Sequence, residues 1–316
     1  MGNLVYYTQI PDYLELGDIP IYYSKKYLSQ LKPEVRSFCA LENETKKLLL
    51  VLHFQIDNDK AISLKDAPFG GIYRYQSIDQ TVIEEFLKYV VEELKQIGIR
   101  QITIKTAPSF YSSMSTLDPF SCGSQISSKR STDINHHISI DQSQLIDRLS
   151  PMQKRRLKKC TDAQFTFKQE EPSKLEPIFQ FINECRKDKN HSISVTFDKM
   201  KSTLDLFPEN YLIFSCYDGH TLVAATICVI VNSKMLYHFL PASAVTYNRY
   251  SPMVFLISNI YQFCQKNHFD ILDLGTSMLN NQPNENLIAF KTRIGGVQTE
   301  RYSYEMNLLA GSESAK

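Results

Sequence analysis

The sequence predicts an α/β protein, with an α+β mixed sheet in each of two lobes of like plan. Three observations predict it. Short β-branched runs alternate with amphipathic helical stretches, and the same order of elements occurs twice along the chain. The length of 316 residues also suits two domains, placed here at residues 1–145 and 146–316.

In the first lobe Lys47 to Ile56 reads as a strand, and Lys60 to Leu64 as its hairpin partner after the Asp57-Asn58-Asp59 turn. Gly70-Gly71 then precedes a third strand, Ile72 to Tyr75. Asp79 is placed to N-cap a helix that carries Val82, Ile83, Phe86, Leu87, Val90, Val91, Leu94 and Ile97 on one face and stops at Gly98. A strand follows over Arg100 to Lys105, then a Ser-rich stretch from Pro108 to Ser131 that is expected to be a long, mobile loop. Ile134 to Ile140 returns as a strand.

The second lobe opens with helices at Lys174 to Lys187 and Phe197 to Leu206. Strands are expected at Tyr211 to Tyr217, at Thr221 to Val231 after the Asp218-Gly219 turn, and at Met235 to Leu240 after Asn232-Ser233. A helix over Pro252 to Lys266 leads into a strand at Asp270 to Leu274. Hairpin, third strand, helix and strand thus occur in both lobes. An internal duplication accounts for this; chance recurrence of a common motif is the plain alternative.

Charge narrows the function. Lys+Arg at 35 and Asp+Glu at 34 cancel, so no global field draws in DNA or a membrane, and any polyanion site must be local. A nucleic-acid-binding module is disfavoured on the same ground. Met1 to Ile10 lacks the parts of a signal peptide, and the longest apolar run, Leu222 to Val231, is far short of the ~20 residues that span a bilayer. The seven cysteines are scattered and never spaced C-x-x-C, which reads as reduced core thiols and a cytoplasmic location. No metal is expected. His136 and His137 are adjacent in a strand and face opposite ways, and His191 lies in a polar loop.

Chemistry is expected at strand-to-helix junctions, where free N–H groups and the helix dipole suit phosphate or an oxyanion. In the stretch Ala242 to Pro252, Ser251 as N-cap and Pro252 at the first helical position mark a helix start, approached by Arg249, Tyr247 and Tyr250. Arg155, Arg156, Lys158 and Lys159 form the one dense basic patch, with Leu157 and Cys160 turned to the core. That patch reads either as a solvated face or as phosphate contacts. His238 and Asp273 are candidate bases, or satisfied core polar groups.

The order of elements in the second lobe resembles the GNAT superfamily. Three phrases resemble its FemABX-like branch: Leu149-Ser150-Pro151 before the basic helix, Asp273-Leu274-Gly275 as a strand ending in a D-x-G turn, and Phe290-Lys291 before Ile294-Gly295-Gly296. The resemblance implies tandem GNAT-like (acyl-CoA N-acyltransferase) lobes and transfer of an acyl or aminoacyl group to an amine. It implies acyl-CoA or aminoacyl-tRNA as co-substrate rather than a tightly bound cofactor, and a small molecule or cell-envelope precursor as acceptor. It also places Lys291 by the reacting carbonyl; a surface lysine at a strand end is the alternative. The sequence departs from ordinary GNAT acetyltransferases in one respect: no glycine lies between Gly219 and Gly275, so the usual pyrophosphate loop is missing. A binding or scaffold protein on a decayed GNAT fold is the rival reading.

Overall fold

The computed structural model describes residues 4–32, 35–114, 128–188 and 195–308. Cys122, His191 and residues 115–127 of the Ser-rich stretch lie outside them. The chain divides into two units, Met1–Ile134 with Thr299–Lys316, and Asn135–Gln298.

The first unit contains β1 (Leu4–Tyr7), α1 (Lys25–Leu28), β2 (Val35–Glu42), β3 (Leu48–Asp57), β4 (Lys60–Ile62), β5 (Tyr73–Arg74), α2 (Gln80–Gln96) and β6 (Gln101–Lys105). The chain leaves it in β7 (Ser128–Ser139) and returns in its last strand, β15 (Val297–Asn307). The sheet order is β1-β2-β3-β4-β6-β15, with β5 paired to β3. All neighbours are antiparallel except β4 and β6.

Helix α2 buries Val82, Ile83, Phe86, Leu87, Val90 and Leu94. They pack on Phe38, Leu50, Leu52, Ile102, Ile104 and Tyr304 of the sheet. Six such side chains contribute on the order of 10 kcal/mol, most of it offset by chain entropy. The predicted face is right except at its end: Ile97 is the C-cap residue and is 44% exposed. Asp79 stands at the N-cap, but its side chain accepts no capping bond.

The second unit holds α3 (Leu145–Arg148), α4 (Pro151–Asp162), β8 (Thr166–Glu170), α5 (Leu175–Lys187), α6 (Phe197–Leu206), β9 (Tyr211–Asp218), β10 (Thr221–Asn232) and β11 (Met235–Ser243). After these come α7 (Pro252–Lys266), β12 (Ile271–Thr276), β13 (Met278–Leu279), β14 (Gln282–Pro283) and α8 (Glu285–Arg293). Its sheet runs β7-β12-β11-β10-β9-β8, and β13 pairs with β14 apart from it. Here too one neighbouring pair, β11 and β12, is parallel.

The two units share one plan: a three-stranded meander, a helix, then a strand parallel to the third. The meander of the first unit is β2-β3-β4, so the third strand is Lys60–Ile62, and Ile72 to Tyr75 supplies only the short β5. The first unit takes its last strand from beyond the second in sequence: β7 runs across the boundary into the second unit and pairs with β12, while β15 follows that unit and pairs with β6. Local patterns do not show such a return. That is why the division falls at Ile134/Asn135 and Gln298/Thr299 rather than at 145/146.

Alternation fixes what covers each face of the second sheet. Helix α7 packs Val254, Leu256, Ile257, Ile260 and Tyr261 with Ala224, Cys228 and Leu236. Helix α5 packs on β10 and β11 as well, and its buried residues Leu175, Ile178, Phe179, Ile182 and Cys185 are no part of that cluster. It therefore covers the other face, where Tyr237 and Phe239 point. Strands β11 and β12 are paired only from Met235↔Ile271 to Tyr237↔Asp273. Both continue past that point, β11 to Ser243 and β12 to Thr276, so the strands part and leave an unpaired edge.

Candidate active site

Lys291 lies in the last turn of α8, not at a strand end, and it is the buried residue of that helix, 6% exposed. The ends of α8 hold it in place. Asn284 caps the start by accepting the Leu287 N–H at 3.1 Å. At the other end the Gly296 N–H donates to the Lys291 carbonyl at 2.9 Å. A Cβ on Gly296 would stand 2.6 Å from that carbonyl oxygen, so glycine is required there.

The Lys291 Nζ donates to the carbonyl oxygens of Gly275 at 2.9 Å and Thr276 at 2.8 Å. An ammonium has three donors, so one N–H is left for a bound molecule. Burial drives the Lys291 pKa down to about 7, against the opposing pull of the Asp273 carboxylate. The group is thus balanced between charged and neutral forms near neutral pH.

The end of β12 is shaped to present those carbonyls. Asp273 is buried, and its Oδ1 accepts the Gly275 N–H at 2.7 Å. Gly275 has φ +72°, and a Cβ there would meet the Tyr237 ring at 3.0 Å. Facing Gly275 across a bulge in the β7–β12 pairing is His136. One imidazole nitrogen of His136 bonds the Ser277 hydroxyl at 3.0 Å, and the other meets the Thr292 hydroxyl at 3.5 Å. His136 therefore ties the exit of β12 to α8, on either side of Lys291.

Burial, then the Lys291 charge and His137, lowers the His136 pKa to about 4. Burial, then Lys291, takes His238 to about 3, and its Nε2 meets no hydrogen-bond partner. Both imidazoles are neutral at pH 7. His238 is a weak proton acceptor on those values.

The approach to α7 is built differently from expectation. Ser251 stands at the N-cap position, but its hydroxyl accepts no capping bond. Its backbone is left-handed, φ 59° and ψ 58°. A turn that glycine would make without strain is made here by serine, its N–H donating to the Tyr247 carbonyl at 3.1 Å. The Arg249 guanidinium lies 4.7 Å above the Tyr250 ring and donates to the Tyr250 hydroxyl at 3.1 Å. Tyr250 packs on Phe165, and its carbonyl accepts the Cys160 thiol at 3.4 Å.

That bond docks α4 on the same approach, with Cys160 and Leu157 turned to the core as predicted. Arg155 is exposed and Arg156 half-buried on this helix. Lys158 pairs with Asp162 at 2.9 Å, which removes one charge from the patch. The predicted residues therefore fall into two groups. Lys291, Asp273 and His238 gather at the end of β12; Arg249, Tyr250 and Ser251 lead into α7 beside the helix of Arg155 and Arg156. Sequence reasoning weighed His136 only as a metal ligand and missed Ser277 and Thr292, although the Asp273-Leu274-Gly275 phrase marked the turn beside them. Among the described residues no cluster of His, Cys, Asp or Glu could hold a metal ion.

Known proteins share this architecture. FemX superposes with a TM-score of 0.60 over 90% of this chain and 92% of its own, at 9% identity. A conserved protein of unknown function from Bacteroides thetaiotaomicron gives 0.56 over 86% of each chain at 8% identity. L-PGS from Bacillus licheniformis gives 0.52 over 81% of this chain and 80% of its own at 10% identity. No protein-family model matches the sequence, and no curated protein matches it. The fold is the FemABX/GNAT-like tandem fold, two lobes with mixed α+β sheets.

Proposed function

We propose that the protein is an N-acyltransferase or aminoacyltransferase, moving an acyl group from acyl-CoA or aminoacyl-tRNA to an amine of a small molecule or cell-envelope precursor. One observation carries this reading: Lys291, buried and fixed by two carbonyls where β11 and β12 part, keeps one N–H for a substrate oxygen. In the reaction the acceptor nitrogen attacks the acyl carbonyl and a C–N bond forms. The carbonyl π electrons move to oxygen, where the Lys291 ammonium stabilises the charge. The C–S bond of a thioester, or the C–O bond of a ribose ester, then breaks, and the leaving group takes up the proton that the amine gives to water.

The unpaired edge of β11 beyond Tyr237 offers backbone N–H and C=O groups to an extended amide chain of the donor. Arg249 stands just before α7, and α4, which carries Arg155 and Arg156, docks there through the Cys160–Tyr250 bond, so donor phosphates would find positive charge. The membrane is not crossed by any described helix, since none is long and apolar enough.

The test is incubation with acyl-CoA and, separately, with charged tRNA, reading thermal stabilisation and acyl transfer to amine acceptors. Stabilisation with turnover that Lys291→Met abolishes is expected. The rival is a non-catalytic binding protein, and the depressed His238 pKa favours it by leaving no strong base at the site. Stabilisation without turnover for any acceptor would uphold that rival.

A further inference from the structure

Arg186 is a half-buried residue with one donor left unpaired. It sits in the last turn of α5, on the sheet face opposite α7. Its Nε is sealed from water without a hydrogen-bond partner. One terminal N–H reaches the Pro241 carbonyl, at a weak 3.5 Å. Among the described residues no carboxylate lies within ion-pair distance of it. A guanidinium has five donors in a fixed fork; Arg186 is half-buried, and leaving its sealed Nε–H unfilled is unfavourable. Burial accordingly lowers its pKa, opposed only by Tyr237. Packing does not require it, because Leu175, Ile178, Phe179, Ile182 and Cys185 already seat the helix.

Its position gives the reason. Tyr237 points to this face and is near enough for a phenolate charge to act on Arg186. The Tyr237 hydroxyl in turn lies 3.3 Å from where a Cβ on Gly275 would stand, and the Gly275 carbonyl holds Lys291. Arg186, Tyr237 and Lys291 thus follow one another across the ends of β11 and β12.

We propose that Arg186, with the Tyr237 hydroxyl beside it, anchors an oxyanion group, a carboxylate or phosphate, of the acceptor substrate. Calling that molecule the acceptor rests on the acyl-transfer reading; the oxyanion site itself does not. A planar fork takes two oxygens of either group at once, which a lysine cannot reproduce.

The experiment titrates the full chain with inorganic phosphate and with acetate at constant ionic strength, followed by NMR or calorimetry. Wild type is expected to bind at least one of them, Arg186→Met to weaken it at least tenfold, and Arg186→Lys to fall between. The preferred probe tells phosphate from carboxylate. Lys291→Met should bind the anion as wild type does while losing turnover. Because a sealed, unpaired N–H is removed and the one bond lost is a weak one, Arg186→Met should melt no lower than wild type. A lower melting temperature, equal anion affinity in Arg186→Met, or no binding by wild type would each overturn the proposal. Arg186-dependent binding in a protein that transfers no acyl group would sink the enzymatic reading alone.

Discussion

Lys291 and Gly275 are joined by a 2.9 Å hydrogen bond from Nζ to the carbonyl oxygen, which links the last turn of α8 to the left-handed end of β12. A lysine so placed stabilises an oxyanion only while protonated. Its pKa of about 7, set by burial against Asp273, therefore sits on the pH–rate profile. Rate is expected to fall about tenfold per pH unit above 7 once the acceptor amine is no longer limiting. Lys291→Arg, which keeps its charge, should lose that descending limb at whatever rate it retains. A wild-type rate that climbs through pH 7 and stays high would make Lys291 a base instead.

Three buried histidines make the protein acid-sensitive. Burial lowers His53 and His238 to about 3, and burial with Lys291 and His137 lowers His136 to about 4, from an ordinary 6.5. Below pH 6.5 the unfolded chain takes up protons that the folded one refuses. Stability is thus full above 6.5 and is lost as pH falls toward 3–4, by about 1.4 kcal/mol per pH unit for each histidine. Two of the three lie in the second unit and one in the first. Urea titrations at pH 7.5 and 5.5 should show the second unit losing more, and His53→Gln should spare only the first.

His136 is a positioning residue through Ser277 and Thr292. Replacing it by Ala frees the exit of β12 from α8 and alters what surrounds the Lys291 amine. His136→Ala should move the descending limb of the pH–rate profile as well as lower kcat, whereas His136→Gln, which can bond both hydroxyls, should restore much of each. A kcat loss with the limb unmoved would leave His136 a purely structural residue.

The sequence shows the elements whose pattern is apolar and periodic. Helix α2 and strand β10 carry continuous or regular hydrophobic faces, and α7 matches its expected bounds at Pro252 and Lys266. Helix α8 has no such stripe, because its buried residue is a lysine, so its pattern leaves a strand end open as the alternative reading of Lys291. Strand β15 is hidden by Arg301, Ser303 and Glu305 on the face opposite buried Tyr304 and Met306. The D-x-G phrase is visible because Asp273 and Gly275 are neighbours. The His136–Ser277 bond spans 141 residues and depends on a bulge in the pairing, and no local pattern encodes it.

Gly275→Ala tests the turn itself. The left-handed φ of +72° costs an alanine about 1–2 kcal/mol, and its Cβ would press on the Tyr237 ring at 3.0 Å. Relief by rotating the peptide would swing the carbonyl away from Lys291. Calorimetry should show a melting temperature lower by several degrees, and turnover should fall further than that loss explains. Unchanged turnover in the folded fraction would separate the Gly275 carbonyl from the chemistry.

Ser251 tests the other half of the site. It makes with a serine backbone, at φ 59°, the turn that a glycine would make without strain before Pro252. Since its hydroxyl forms no cap, Ser251→Gly removes backbone strain and breaks no capping bond, and is expected to gain up to about 1 kcal/mol after the extra entropy of an unfolded glycine. Ser251→Val should lose more than that, since a β-branched side chain fits this conformation worst. If donor phosphates settle at the start of α7, Ser251→Gly keeps donor affinity and Ser251→Val weakens it, with thermal stability read alongside. Equal affinity in both variants would move donor binding away from this helix start and toward the unpaired edge of β11.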